Sequence, residues 1–381
     1  MKFFFFNLAT YTDIDYAEAK QHRAIWTFYP NKNFVPEKGR KVYEDYLDAF
    51  EAADRLGFDG VTLTEHHQTA HSMMPSPMVM AAAVSQRTKN AKIAILGRAL
   101  PLYPNPVNVA EEFSMLDHLS NGRMIAGFVR GNGPEYLNSM TNPAESLGRF
   151  QEAHDLIKFA WTTDGPASFE GRYFNFPYVN LWPKPLQQPH IPIWFPSTGS
   201  SETIKFAARK DRRYTFLQVF SAAASVERNF NLYREAGAAE GYEVVPDQLG
   251  WSVPTYVAET DEIARKEARL HLERLFNVFL RMAPNLLSPP GFSSVESYKR
   301  AMKAKKEMVG KDRTLEDLME QDVVLVGSPK TVKDKIAYYE KRLGFGWLNV
   351  VLQFGSLPHE LTMKNLNLFA TEVMGPLRRG E

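Results

Sequence analysis

The sequence predicts a (β/α)8 barrel, the TIM-barrel class of α/β fold, and three features of the 381-residue chain support it. Short apolar runs alternate with helical patterns from one end to the other, the order that a parallel α/β sheet requires. The runs number eight, at residues 2–7, 60–66, 92–100, 123–130, 193–197, 214–219, 250–258 and 347–354, which is the strand count of a closed barrel. The helical stretches between them carry apolar residues at three- and four-residue spacing and end at a glycine, which suits a left-handed helix cap.

Taken in order, "MKFFFFN" opens the first strand. Its apolar run is too short for a signal sequence or a membrane span, and polar "NLATYTD" follows, so a cytoplasmic protein is expected. Residues 9–40 then form an insertion whose "AIWTFYPNKNF" is aromatic and is expected over the carboxyl-terminal mouth, where barrel sites form. The helix "VYEDYLDAFEAADRLG" leads to a second strand, "GFDGVTLTEHH", that delivers Glu65, His66 and His67 to its end. After the third strand comes the helix "NPVNVAEEFSMLDHLSNG", and the fourth strand closes on "GFVRGNG", where flanking glycines let a ligand approach Arg130. The fifth strand runs into "PSTGSSET" at the head of a helix. Such a loop offers N–H groups and hydroxyls to a phosphate, and the same pattern also serves as a plain N-cap.

A second insertion, residues 283–321, follows the helix after strand seven. Its basic run "KRAMKAKKEM" reads as a solvated helix face, because "EDLMEQD" soon balances it. Finally "SPKTVKDKIAYYEKRLG" precedes the eighth strand, and its "RLGF" junction at 342–345 repeats the one at 55–58. A minimal barrel needs roughly 250 residues, so residues 1–381 are expected as one barrel domain with the excess in the two insertions.

Charge and composition narrow the function. Lys plus Arg total 45 against 44 acidic residues, which leaves no net field for nucleic acid or an anionic membrane. The absence of cysteine excludes disulfides, thiolate metal sites and a cysteine nucleophile. Parallel strands place His66, Arg98, Arg130 and the loop with Thr198, Gly199 and Ser201 on one rim. Successive side chains of a strand point to opposite faces, so His66 and His67 share one metal ion only if the strand ends between them. The later strand ends offer Arg98, Arg130, Thr198 and Gln353 instead of further ligands, and no metal is expected. Arg130 plus a helix N-terminus makes a phosphate clamp.

The segments "MKFFFFN", "GFDGVTLTEHH", "NPVNVAEEFSMLDHLSNGRMIAGFVRG", "RFQEAHDLIKFAW", "FEGRYFNFP" and "IPIWFPSTGSSET" together resemble the bacterial luciferase-like family of flavin-dependent monooxygenases. They run in order over about the first 220 residues, and "VGSPKTVKDKIAYYEKRLGFGWLNVVLQFG" with "FATEVMGPLR" is similar to the family's closing unit. The resemblance implies a barrel that takes reduced FMN from a separate NAD(P)H:flavin reductase. It also implies that O2 is activated as a flavin (hydro)peroxide and that an organic substrate is oxygenated. It implies His66 for acid–base work near the flavin, and Arg130 and Arg149 at the flavin phosphate with Thr198, Gly199 and Ser201. It further implies a homodimer formed through "EEFSMLDHLSNGR" and the helix at 76–86.

The chain departs from the family at three places. Glu202 stands where a phosphate-binding hydroxyl is expected, and Val129 stands where the luciferases have a cysteine. "LGRAL" replaces a run of small residues that often includes a cis peptide under the flavin ring. Arg98 there either contacts flavin or substrate or turns into a salt bridge. These departures favour an oxygenase with another substrate over light emission. A deazaflavin-dependent hydride-transfer enzyme, a non-catalytic flavin-binding protein and a metal-dependent hydrolase are the competing readings.

Overall fold

The structure, a computed structural model, describes residues 1–293, 295, 298, 299 and 312–380. Eight strands close into a parallel barrel: β1 (Lys2–Phe6), β2 (Gly60–Leu63), β3 (Lys92–Ala99), β4 (Met124–Val129), β7 (Ile193–Ser197), β8 (Thr215–Val219), β9 (Leu249–Val257) and β11 (Trp347–Val351). Each pairs with the next in that order, and β11 returns to β1. Every expected strand is a barrel strand, with ends that differ by a few residues.

The four phenylalanines of β1 show why these runs are unbroken. Phe3 and Phe5 pack outward into the layer between barrel and helices, while Phe4 packs inward against Trp194 and Leu217. A barrel strand is buried on both faces, so it carries apolar residues on both. Higher in the interior, Thr62 donates to Asn349 Oδ1 at 3.1 Å and Asn349 donates to Ser252 Oγ at 3.1 Å. These buried polar groups are satisfied by one another.

Nine helices matter to the site and its surroundings: α1 (Pro36–Arg55), α2 (Pro77–Arg87), α3 (Pro106–Leu119), α4 (Ser146–Thr162), α5 (Ser201–Ala207), α6 (Ala223–Ala239), α7 (Asp261–Arg274), α8 (Pro329–Leu343) and α9 (His359–Leu368). Four of them begin with proline, whose missing N–H costs nothing in the first turn. Gly57 and Gly344, the glycines of the two "RLGF" junctions, both adopt positive φ, +82° and +64°.

The structure adds two features to the expected scheme. An antiparallel hairpin, β5 (Ala167–Glu170) with β6 (Asn175–Val179), stands outside the barrel after α4. A three-residue strand, β10 (Leu325–Gly327), pairs with the upper half of β9, whose lower half pairs with β11. The insertions follow β1 and the helix after β9, and Arg281, just before the second, holds the first by donating from Nη2 to the carbonyls of Lys20 and His22, each at 2.8 Å. Of the basic run in the second insertion, all but Lys299 lies outside the described residues.

Candidate active site

The second strand ends earlier than its apolar pattern suggests. After Leu63 the chain leaves the ladder, and the His66 N–H bonds to the Met74 carbonyl at 3.1 Å. Thr64, Glu65, His66 and His67 therefore turn into separate contacts. His66 is gripped at both nitrogens: Nε2 lies 3.0 Å from Thr64 Oγ1 and Nδ1 lies 2.9 Å from Glu135 Oε1. The carboxylate accepts, so Nδ1 carries the proton, and the Thr64 hydroxyl donates to Nε2. When Nε2 takes up a proton, that hydroxyl turns and accepts instead.

Glu135 is buried on the short helix Gly133–Leu137, where it forms a capping box with Asn132, whose N–H reaches Oε2 at 2.6 Å. The sequence reading missed Glu135. Its local signal was legible, since Asn132 followed three residues later by glutamate marks a helix start just past a strand end. The next residue, Tyr136, faces the other half of the site. Burial pushes its phenol above the usual tyrosine range, against the pull of Arg130, the Ser146 hydroxyl and Arg149. One short helix thus joins His66 to the two arginines.

Aromatic residues cover the histidine. The Trp26 ring from the first insertion meets His66 edge-on at 4.7 Å and lies over His71 at 4.2 Å. The His71 ring is 5.2 Å from His66. Burial, with His66 beside it, holds His71 well below the ordinary histidine value of 6.5. Trp26 Nε1 and His71 Nδ1 have no hydrogen-bond partner.

Arg98 enters a buried charge network. Its guanidinium donates to Glu112 Oε2 at 2.8 Å and to Glu65 Oε2 at 3.4 Å, and lies over the Tyr103 ring at 4.0 Å. Glu65 Oε1 also accepts from Tyr103 at 2.6 Å and pairs with His67 Nε2 at 2.8 Å. That hydrogen bond to Glu65 raises the His67 pKa. Of the two orientations weighed for Arg98, the salt bridge is the one present. Just before it, the Leu96–Gly97 peptide is cis, beside Gly127 on β4. A Cβ on Gly127 would stand 1.9 Å from the Ile95 carbonyl, so only glycine permits this strand approach.

On the neighbouring strand, just past the end of β4, Arg130 stacks on Phe292 of the second insertion at 4.0 Å and donates from Nη2 to the Phe292 carbonyl at 2.5 Å. Arg149 lies 4.9 Å from the Phe174 ring. In both arginines Nε is buried without a partner. A phosphate offers only acceptor oxygens, so these two vacant donors fit one.

The loop after β7 fits less readily. Gly199, at φ +114° against Asn229, and Ser200 give their N–H groups to Ser197 Oγ at 3.0 and 3.3 Å. The hydroxyls of Ser200 and Ser201 both donate to Glu202 Oε2, at 3.0 and 3.1 Å. Burial raises the Glu202 pKa, but its own N–H, these hydroxyls and Arg130 hold it lower on balance. Thr198 is exposed beside them. The structure therefore sets Arg130 near both Glu202 of this loop and Tyr136, with Arg149 on Tyr136 and His66 on the adjacent Glu135, and it leaves Arg98 with its carboxylates.

The rim thus combines vacant donors for an anion with a histidine that can exchange a proton. The chain belongs to the luciferase-like monooxygenase family, whose sequence model matches residues 23–345.

Among curated relatives, the chain is 30% identical over 246 residues to the alkanal monooxygenase beta chain of Vibrio harveyi, covering 63% of this chain and 74% of that one. It is 26% identical over 243 residues to the oxygenase component of the flavin-dependent trigonelline monooxygenase of Acinetobacter baylyi, covering 63% and 66%. It is 21% identical over 387 residues to 2,5-diketocamphane 1,2-monooxygenase 1 of Pseudomonas putida, covering 93% and 99%.

Two solved structures share the fold. The oxygenating constituent of 3,6-diketocamphane monooxygenase from Pseudomonas putida, a complex with FMN, has a TM-score of 0.71 at 22% identity over 92% of this chain and 97% of that one. An F420-dependent secondary alcohol dehydrogenase has a TM-score of 0.67 at 16% identity, covering 99% of each.

Proposed function

We propose that the protein is a two-component monooxygenase of the cytoplasm, taking reduced FMN from a separate NAD(P)H:flavin reductase and oxygenating a small organic substrate with O2. One observation carries the reading: the helix Gly133–Leu137 sets Glu135 on His66 Nδ1 and, one residue on, Tyr136, whose hydroxyl donates to the Arg130 carbonyl. The names of the relatives support it, since they are monooxygenases and one is an oxygenase component. The FMN complex of the diketocamphane enzyme supports the cofactor.

Reduced FMN, when bound, supplies the electrons that activate O2. The chain's own residues bind, orient and protect. Arg130 and Arg149 would hold the phosphate through their vacant Nε donors, and Thr198, Gly199 and Ser201 would join them if Ser197 and Glu202 gave up the Gly199 N–H and the Ser201 hydroxyl. Arg98, fixed by Glu65 and Glu112, shapes the rim at the end of β3. His66 gives or takes a proton at Nε2 while Glu135 keeps its orientation. Trp26 and the two insertions shield the mouth from water.

Mixing the anaerobic protein with reduced FMN and then admitting oxygen tests the proposal by absorbance. Flavin reoxidation slower than that of free FMN is expected, and slowing lost in Arg130→Met. Reoxidation at the free rate in the unaltered protein would sink the reading. The His66–Glu135 pair would serve hydride transfer with a deazaflavin equally well, and the dehydrogenase shares the fold. Tight deazaflavin binding without oxygen uptake is the signature of that second reading.

A further inference from the structure

A recess on the flank of the barrel is built by residues of a different set from the rim described above. It lies between α1, the segment 7–13 that leaves β1, and the segment 353–362 that leaves β11, and it encloses about 350 Å³. One buried water needs a small fraction of that room, and small-molecule sites begin near this size. His66, Arg98, Arg130, Arg149 and Ser201 do not line it.

Three kinds of lining define what it can hold. Thr10 Oγ1, Tyr46 OH and Gln353 Oε1 belong to lining residues, are buried, and have no hydrogen-bond partner. Native interiors rarely leave such groups unmet. Burial pushes the Tyr46 phenol well above its ordinary range, so its hydroxyl stays a donor. Gln353 Oε1 only accepts, so an occupant that satisfies it brings an O–H or N–H.

The charges at the opening are already matched, Lys38 with Asp13 and Lys41 with Asp45, and His359 lies 3.9 Å from Asp45. That leaves no free charge to select an ionic occupant. Val42 and Leu357 give the recess apolar walls.

We propose that this recess is a second ligand site that takes an uncharged, mostly apolar molecule carrying a hydroxyl group, an alcohol or a phenol. The site is separate from the flavin rim but shares a wall with it. Ala9 and Tyr11 are bonded through the backbone to Met73 and Ala70, both at 2.9 Å. The segment between those two carries His71, whose ring lies 5.2 Å from His66.

The test uses the full chain without flavin or turnover, so it stands or fails apart from the proposed oxygenase activity. Benzyl alcohol is titrated by calorimetry and ligand-observed NMR, with ethylbenzene as the same shape lacking the hydroxyl. Saturable binding of one benzyl alcohol per chain is expected, at least about fivefold tighter than ethylbenzene. Thr10→Val, which keeps the shape, is expected to weaken it by about fivefold. Val42→Trp, which fills the recess, should abolish it, and excess FMN should leave it unchanged.

Absence of saturable binding would overturn the proposal. Equal affinity for the two compounds would do so too, since it would describe an apolar void whose polar atoms are met by water. Displacement by FMN would return the recess to the flavin rim. If Val42→Trp fails to fold, Thr10→Val decides.

Discussion

Glu135 holds His66 by both its shape and its charge, and the two are separable. Glu135→Gln keeps the contact at Nδ1 and removes the negative charge beside it. Turnover is expected to fall by about 10²-fold with KM little changed, and the pH–rate profile should move. An unmoved profile would mean that the pair orients without handling the proton.

His71 gives a second expectation with a definite sign. Its folded-state pKa is depressed by burial below 6.5, so the unfolded chain binds the proton more readily. The stability that this group contributes is therefore present above pH 6.5 and is lost as pH falls toward its folded value. Denaturant unfolding at pH 7.5 and pH 5 should show wild type losing more stability on acidification than His71→Phe. Equal losses would remove the buried neutral imidazole from the account.

Among elements, the hairpin β5–β6 depends on one side chain of α4. Glu152 accepts the N–H groups of Arg172, Tyr173 and Phe174 at 2.9, 2.8 and 2.7 Å, across the hairpin turn. Glu152→Ala strips all three, and a loss of about 1–3 kcal/mol is expected. Hydrogen exchange should quicken at residues 172–174 first; uniform quickening across α4 would place the effect elsewhere.

The hairpin also shows what one-dimensional pattern leaves out. Its strands are half exposed and lack the unbroken apolar run that marks β1 or β9. Its anchor is a residue about twenty positions away. The short strand β10 was hidden for another reason: its ladder partner is the upper half of a strand already in the barrel.

For the whole molecule, α2 and α3 leave Val79, Met115 and Leu119 exposed, as is Leu186 in the segment before β7. We infer a homodimer through this face, as an exposed apolar patch on a folded surface commonly marks an association site. Light scattering should report twice the 43.4 kDa chain mass, and Met115→Asp with Leu119→Asp should return the monomer. A wild-type monomer at micromolar concentration would remove the inference. Among the described residues no helix is long and apolar enough to cross a membrane.

The barrel was readable at this scale because every strand buries both faces, and such runs survive in the sequence as phenylalanine, valine and isoleucine. His66 and Arg130 stand out in the sequence because they lie just past strand ends. The partners of His66 and Arg98 were not, since no spacing links position 66 to 135, or 98 to both 65 and 112; only barrel closure brings them together.

Arg281 carries a last consequence. Because a single nitrogen of Arg281, just before the second insertion, holds two carbonyls of the first, the first insertion is pinned at the foot of the second. An engineer seeking new selectivity could exchange the second loop with the clasp intact, whereas grafting the first from a relative would strand the guanidinium unless the backbone path at 20–22 were kept.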